Sequence, residues 1–114
     1  MKKILFIALA ASSLVIATVL LAGRSSFTKT TGGVAGIKID NFVFGPKSIT
    51  VPVGTTVTWT NGDDIPHTSV STDGVFKSKV LDTDEKFSYT FTKSGKYPYY
   101  CTIHPKMTGT VIVR

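Results

Sequence analysis

The chain has 114 residues and a formal net charge of +6, and 42% of its residues are hydrophobic. A single cysteine excludes an internal disulfide framework, and the basic residues are too scattered for the contiguous patch of a nucleic-acid-binding protein. From residue 23 onward the chain holds one Leu and one Ala but ten Val and sixteen Thr, which disfavours helices and favours strands. The composition therefore predicts a small all-β domain behind an apolar N-terminal segment.

Residues 1–23 have the form of an export signal or a membrane anchor. Two lysines precede residues 4–22, in which sixteen of nineteen residues are apolar. The cleavage site is poor, because a cut after Ala22 or Gly23 would place a leucine at the −3 position. Nineteen helical residues span roughly 28 Å, close to the hydrocarbon thickness of a bilayer. We expect one apolar helix, either a cleaved signal peptide or a retained tether, and an exported domain in the periplasm or on the extracytoplasmic face of the membrane.

The rest of the chain divides into a linker and a strand-rich domain. Residues 24–35 are rich in Ser, Thr and Gly and predict a flexible linker. Over residues 36–114, short alternating runs are separated by turn sequences roughly every 8–12 residues, which is typical of an antiparallel sandwich or barrel. Pro52 and Pro98 fall inside strand-like runs, so each is expected at a sheet edge or a strand end.

Three residues of metal-binding type lie within seven positions near the C-terminus. Cys101, His104 and Met107 are each separated by two residues, in a loop between two predicted strands. His67 stands on a second loop, after the strand that contains Trp59. Taken singly, a lone Cys, Met or His is more often a packing residue than a ligand. Their joint occurrence in one short loop favours a metal site.

This donor set selects copper among the common metals. A thiolate, two imidazoles and a thioether form the His₂Cys site with weak axial Met of blue-copper electron-transfer centres. Structural zinc prefers four Cys or His ligands, and covalent haem attachment needs a Cys-x-x-Cys-His sequence that the chain lacks. Prolines at positions 66 and 105, each beside a histidine, are expected to stiffen both loops. Ligands held at nearly fixed separation would let copper change oxidation state with little movement.

With these residues in place, the chain resembles the cupredoxins, the small blue copper proteins, and is most similar to the amicyanins and plastocyanins among them. The similarity covers about residues 36–114 and is carried by four segments, residues 57–61, 66–68, 89–95 and 99–107. The resemblance implies an eight-stranded Greek-key β-sandwich with one type 1 copper. It further implies His67, Cys101 and His104 as strong equatorial ligands and Met107 as the weak axial ligand.

The resemblance also implies where electrons enter and leave the molecule. His104 would be partly exposed inside an apolar docking patch that consists of Ile65, Pro66, Ile103 and Pro105. Two positions depart from the family pattern. Ile103 stands where amicyanin-like loops commonly have Pro. Unlike proline, isoleucine has a backbone N–H, which is able to alter the hydrogen bonding to the Cys101 sulfur. Thr68 stands where the family often has Asn, and its hydroxyl is able to bridge the two ligand loops.

Three functions are open to a copper-binding domain, and the residues of this chain favour them unequally. Electron transfer between redox proteins that dock transiently near His104 is the expected function, carried out by a monomer. The alternative is copper storage, delivery or resistance, although such proteins usually have Met-rich or His-rich clusters, and this chain has two His and one internal Met. A copper enzyme would need further histidine ligands, so no enzymatic activity is expected.

Overall fold

The structure is a computed structural model that describes residues 32–114. Its eight strands are β1 (Val34–Asp40), β2 (Val43–Gly45), β3 (Ser48–Val51), β4 (Thr56–Asn61), β5 (Val70–Ser71), β6 (Lys86–Thr90), β7 (Gly95–Tyr100) and β8 (Thr108–Val113). No helix in this part of the chain is long and apolar enough to cross a membrane. The predicted N-terminal helix of residues 1–23, as signal or anchor, lies outside the described residues, as does the linker up to residue 31.

The strands form two four-stranded sheets, in the orders β2-β1-β4-β6 and β3-β8-β7-β5. Every connection except β1–β2 and β7–β8 passes from one sheet to the other. The predicted all-β architecture of two sheets is confirmed. The expectation of wholly antiparallel pairing was wrong, because β1–β4 and β3–β8 are parallel pairs. A period of two reports which side chains face the core, but it does not report the direction of the neighbouring strand.

The first strand begins earlier than the predicted domain start at residue 36. Val34 and Ala35 pair with Thr56 and Val57 of β4, so the sheet already includes the last two residues of the predicted linker. Pairing there uses backbone groups, which a composition rich in Gly, Ser and Thr does not exclude.

The core lies between the two sheets and is built from alternate residues of each strand. Ile37 of β1, Trp59 of β4, and Tyr99 and Val111 of the other sheet are at most 1% exposed. The Trp59 and Tyr99 rings meet edge-on with centroids 5.3 Å apart. Gly109 of β8 allows this packing, because a Cβ atom there would lie 2.4 Å from the Tyr99 ring. The same contact anchors the strands on both sides of the Cys101–Met107 loop.

Pro52 lies at a strand end, as expected, whereas Pro98 lies inside an inner strand of its sheet and not at a strand end. Pro52 follows Val51, the last residue of β3. Pro98 lies inside β7, and its carbonyl accepts the Thr72 N–H at 3.0 Å. The nitrogen and the carbonyl oxygen of one strand residue point to the same side of the strand, so the Pro98 nitrogen also points towards Thr72. Thr72 lies just beyond Ser71, the last residue of the short β5, so the missing N–H falls where that neighbouring strand has already ended.

Candidate metal centre

The predicted ligand loop joins the paired ends of β7 and β8. Tyr100 and Thr108 are the last pair of this hairpin, so Cys101 and Met107 stand at the two ends of the loop. The Cys101 N–H donates to the Met107 carbonyl at 3.0 Å, and the Met107 N–H donates to the His104 carbonyl at 2.9 Å. These bonds make the loop compact and bring its three potential ligands to one end of the sandwich.

His67 comes from a different loop, between β4 and β5. Its backbone exchanges two hydrogen bonds with Leu81, at 3.1 and 2.7 Å, which attach this loop to the irregular segment before β6. The side chain is fully buried. The histidine is therefore held in place by tertiary contacts of the protein itself.

The structure brings the sequence-predicted site residues together. The Nδ1 atoms of His67 and His104 each lie 3.7 Å from the Cys101 sulfur, and the donor atoms of these three residues all lie within 4.8 Å of one another. Cys101 is fully buried, His104 is half-buried, and Met107, close to the other three, is buried as well. The arrangement offers one sulfur and two ring nitrogens to a common centre.

The surroundings of Cys101 favour the thiolate. Burial acts to raise the pKa of Cys101. The Thr68 N–H, 3.4 Å from the sulfur, the His67 imidazole, and the backbone N–H and imidazole of His104 together outweigh it and lower the pKa to about 6. A thiolate is the form of cysteine that binds metals. The phenol of Tyr99, two residues earlier, is driven the other way, because burial raises its pKa to about 12.

Thr68 joins the two ligand loops through its hydroxyl group, the bridge that the sequence left open. Its Oγ1 accepts the Thr102 N–H at 2.7 Å and lies 2.8 Å from the Thr102 hydroxyl. The same side chain lies 3.8 Å from the Cys101 sulfur. One threonine thus holds the loop of His67 against the loop of Cys101.

Two residues beside the site were missed in the sequence. The carboxylate of Asp63 lies 2.7 Å from Nε2 of His67 and accepts the backbone N–H groups of Asn41 and Phe42 at 2.6 and 3.0 Å. Desolvation acts to raise the pKa of Asp63, but these two N–H groups and His67 together hold it below its usual value. The side chain of Phe42 meets the rings of His67 and His104. In the sequence, the only signs of these roles are the position of Asp63 four residues before His67 and the position of Phe42 directly after Asn41 in a short turn.

Apolar side chains surround the half-buried imidazole. Ile103 is 43% exposed, and Pro66 and Pro105 are exposed as well, whereas Ile65 of the predicted patch is half-buried. Phe42 and Val43, at 50% and 53% exposure, extend the apolar surface beyond the predicted set.

A buried cysteine sulfur and two imidazoles, with a thioether in the same loop, lie at one end of a two-sheet sandwich. This combination defines a class of mononuclear copper proteins. The family model of the cupredoxin-like domain matches residues 9–113. The chain belongs to the cupredoxin family.

Relatives with this family's fold are similar over most of the chain. An amicyanin from Paracoccus denitrificans is 34% identical over 86 residues, covering 71% of this chain and 66% of the relative. The amicyanin of Paracoccus versutus is 33% identical over 82 residues, covering 68% of this chain and 62% of the relative. The chain thus spans just under two thirds of these two proteins. Amicyanin-alpha of Methylorubrum extorquens is 30% identical over 118 residues, covering 99% of each chain.

Solved structures agree with this assignment. A purple cupredoxin from Nitrosopumilus maritimus is 38% identical, with a TM-score of 0.66, and the match covers 70% of this chain and 99% of that one. An oxidised single-site mutant of amicyanin is 33% identical, with a TM-score of 0.68, over 75% of this chain and 87% of the other. The cofactor of this family is a single type 1 copper, and the sulfur and nitrogen donors described above fit it.

Proposed function

We propose that this protein carries single electrons on one type 1 copper, with His67, Cys101 and His104 as equatorial ligands and Met107 as the axial ligand. The copper would supply the Cu(II)/Cu(I) couple. The observation that carries the proposal is the convergence of two Nδ1 atoms, each 3.7 Å from a buried sulfur whose thiol has a lowered pKa, with the three donor atoms within 4.8 Å of one another. Such a donor set is that of electron-transfer copper rather than of structural zinc.

The residues around the donors favour repeated oxidation and reduction. Thr68 bonds the two ligand loops to each other, and Asp63 holds the far nitrogen of His67. Ligands fixed in this way by surrounding hydrogen bonds keep their orientation when the charge of a bound metal changes. A site that released copper for delivery would gain nothing from this rigidity.

The half-buried His104 is the proposed point of electron entry and exit. It is the ligand with solvent access, whereas His67 and Cys101 are fully buried. The exposed side chains of Phe42 and Ile103 beside it offer an apolar surface on which redox proteins dock transiently. We propose a monomer that is exported to the periplasm or the outer face of the cytoplasmic membrane, with residues 4–22 as a signal or a tether.

The visible spectrum of the full chain loaded with Cu(II) tests this function. Charge transfer from thiolate to copper predicts an intense band, blue or purple, that ascorbate bleaches and ferricyanide restores. Cys101→Ser should abolish the colour. The matched control is Thr108→Ser, which changes a residue just beyond the loop and leaves every proposed ligand in place.

Two results would reject the electron carrier. One is a colourless Cu(II) adduct of the unmodified chain. The other is binding of Cu(I) alone without redox cycling, which would instead support storage or delivery of copper.

A further inference from the structure

Phe42 occupies a backbone position that is unfavourable for its side chain. The β1–β2 hairpin has a two-residue loop, Asn41 and Phe42, because Asp40 pairs with Val43. Both loop residues have positive φ, 54° and 61°. Such a loop strongly prefers Asn followed by Gly, and a bulky side chain in the left-handed region is uncommon. Strain of this kind clusters at functional sites, where the side chain is needed in a set place.

The side chain of Phe42 meets both imidazoles of the site. Its ring centroid lies 5.6 Å from that of His67 and 5.0 Å from that of His104, with interplanar angles of 89° and 83°. Edge-to-face contact at these distances is a preferred aromatic geometry. Phe42 is nevertheless 50% exposed, so its own burial does not account for its presence in a strained turn.

The two imidazoles differ in what else holds them. His67 is fully buried, and the Asp63 carboxylate holds its Nε2. His104 is half-buried, and in residues 32–114 no protein group makes a hydrogen bond to its Nε2. Its ring packs against the rings of Phe42 and His67. Phe42 thus contacts the imidazole that lacks a second hydrogen-bond partner of the kind that His67 has.

Asp63 couples these two arrangements. The carboxylate that holds His67 also accepts the N–H groups of Asn41 and Phe42, at 2.6 and 3.0 Å. The turn is therefore tied to the site from which its aromatic ring projects. Asp63 thus holds the His67 imidazole directly, and through the backbone of the turn it also places the Phe42 ring that packs against His104.

We propose that Phe42 is a positioning residue for His104, whose ring it keeps in the ligating orientation in the metal-free as well as the copper-loaded protein. The inference rests on the ligand role of His104 in the proposed function. It adds a residue from the β1–β2 turn to a site otherwise built from two other loops.

The test is Phe42→Gly in the full chain, which removes the ring and turns the loop into the preferred Asn-Gly pair. In the metal-free protein with isotope-labelled histidine, NMR relaxation should show a more mobile His104 ring and an unchanged His67 ring. In the copper-loaded protein, loss of copper to a chelator should become about two- to tenfold faster, the factor that one aromatic pair represents. Phe42→Tyr should restore both values.

Val43→Ala is the matched control, since Val43 is an equally exposed residue of the same hairpin. It should leave the His104 ring and the copper loss as in the unmodified chain. The proposal is wrong if the His104 ring is unchanged in Phe42→Gly, or if Val43→Ala loosens it equally. It is also wrong if Phe42→Gly lowers the urea midpoint and loosens both rings alike, because Phe42 would then act through overall stability. A colourless copper adduct would reject the electron carrier, yet would leave the metal-free NMR result standing.

Discussion

Nε2 of His67 lies 2.7 Å from the carboxylate of Asp63, while Nδ1 of the same ring faces the Cys101 sulfur at 3.7 Å. The imidazole is thereby held at both nitrogens. A carboxylate on the outer nitrogen sets the tautomer and makes the inner nitrogen a better metal ligand. The orientation of this imidazole is thus set by protein groups on both of its nitrogens.

Removing the Asp63 carboxylate should destabilise the metal-free protein. Asp63→Ala leaves the buried His67 ring and the N–H groups of Asn41 and Phe42 without their acceptor, which costs about 1–3 kcal/mol. Asp63→Asn, which keeps an acceptor oxygen, should cost less. Urea denaturation of the full chain measures both. Asp64→Ala, at the exposed neighbouring acid, should change stability by no more than about 0.5 kcal/mol, and a loss equal to that of Asp63→Ala would contradict the specific role.

The hydroxyl of Thr68, which bonds the two ligand loops to each other, should contribute to the stability of the protein. Thr68→Val keeps the shape of this buried side chain but leaves the Thr102 N–H without its 2.7 Å partner, so the free energy of unfolding should fall by about 1–3 kcal/mol. Thr68→Ser retains the oxygen and should cost clearly less. Urea midpoints of the two variants decide the matter, and a Ser variant as unstable as the Val variant would show that packing of the methyl group dominates.

The close approach of β8 to Tyr99 predicts a second difference in stability. Gly109→Ala places a Cβ atom 2.4 Å from the buried Tyr99 ring, which cannot move freely, and overpacking of this kind costs about 1–3 kcal/mol. Gly36→Ala is the matched control, since nothing lies within 4 Å of the Cβ position there. Thermal unfolding should show a lower midpoint for Gly109→Ala and an unchanged or higher one for Gly36→Ala. Similar midpoints for both would mean that the Tyr99 ring yields easily.

Electron exchange between two copies should depend on the apolar surface at His104. Ile103→Asp adds a carboxylate beside the proposed exit point, and repulsion between two such faces should slow self-exchange about tenfold at low salt. NMR line broadening in mixtures of the reduced and oxidised protein measures the rate, and the visible spectrum should stay unchanged. Val75→Asp serves as the control, because Val75 lines a separate groove with Tyr89 and Tyr97. Equal slowing by both variants would place the contact elsewhere.

Local sequence was sufficient to predict that the potential ligands in the loop between β7 and β8 lie close together. Cys101, His104 and Met107 are close in the chain, so a tight hairpin leaves them few ways to be far apart. His67 was harder, because it lies 34 residues from Cys101, and its place followed only from the joint occurrence of rare ligand types and from the family resemblance. Thr68 was visible as a possible bridge, but its partner Thr102 was not.

The amino-acid sequence by itself determined the strand-rich composition, the alternation that buries Trp59 and Val111, and the donor types that select copper. Only the tertiary structure decided that β1 and β4 are parallel and that the turn of Asn41 and Phe42 reaches the site. The physical reason is that periodicity encodes which face of a strand is buried, whereas contacts such as Phe42 with Asp63, 21 residues apart, depend on the order in which strands pair. That order is set by the packing of both sheets together, which no local pattern contains.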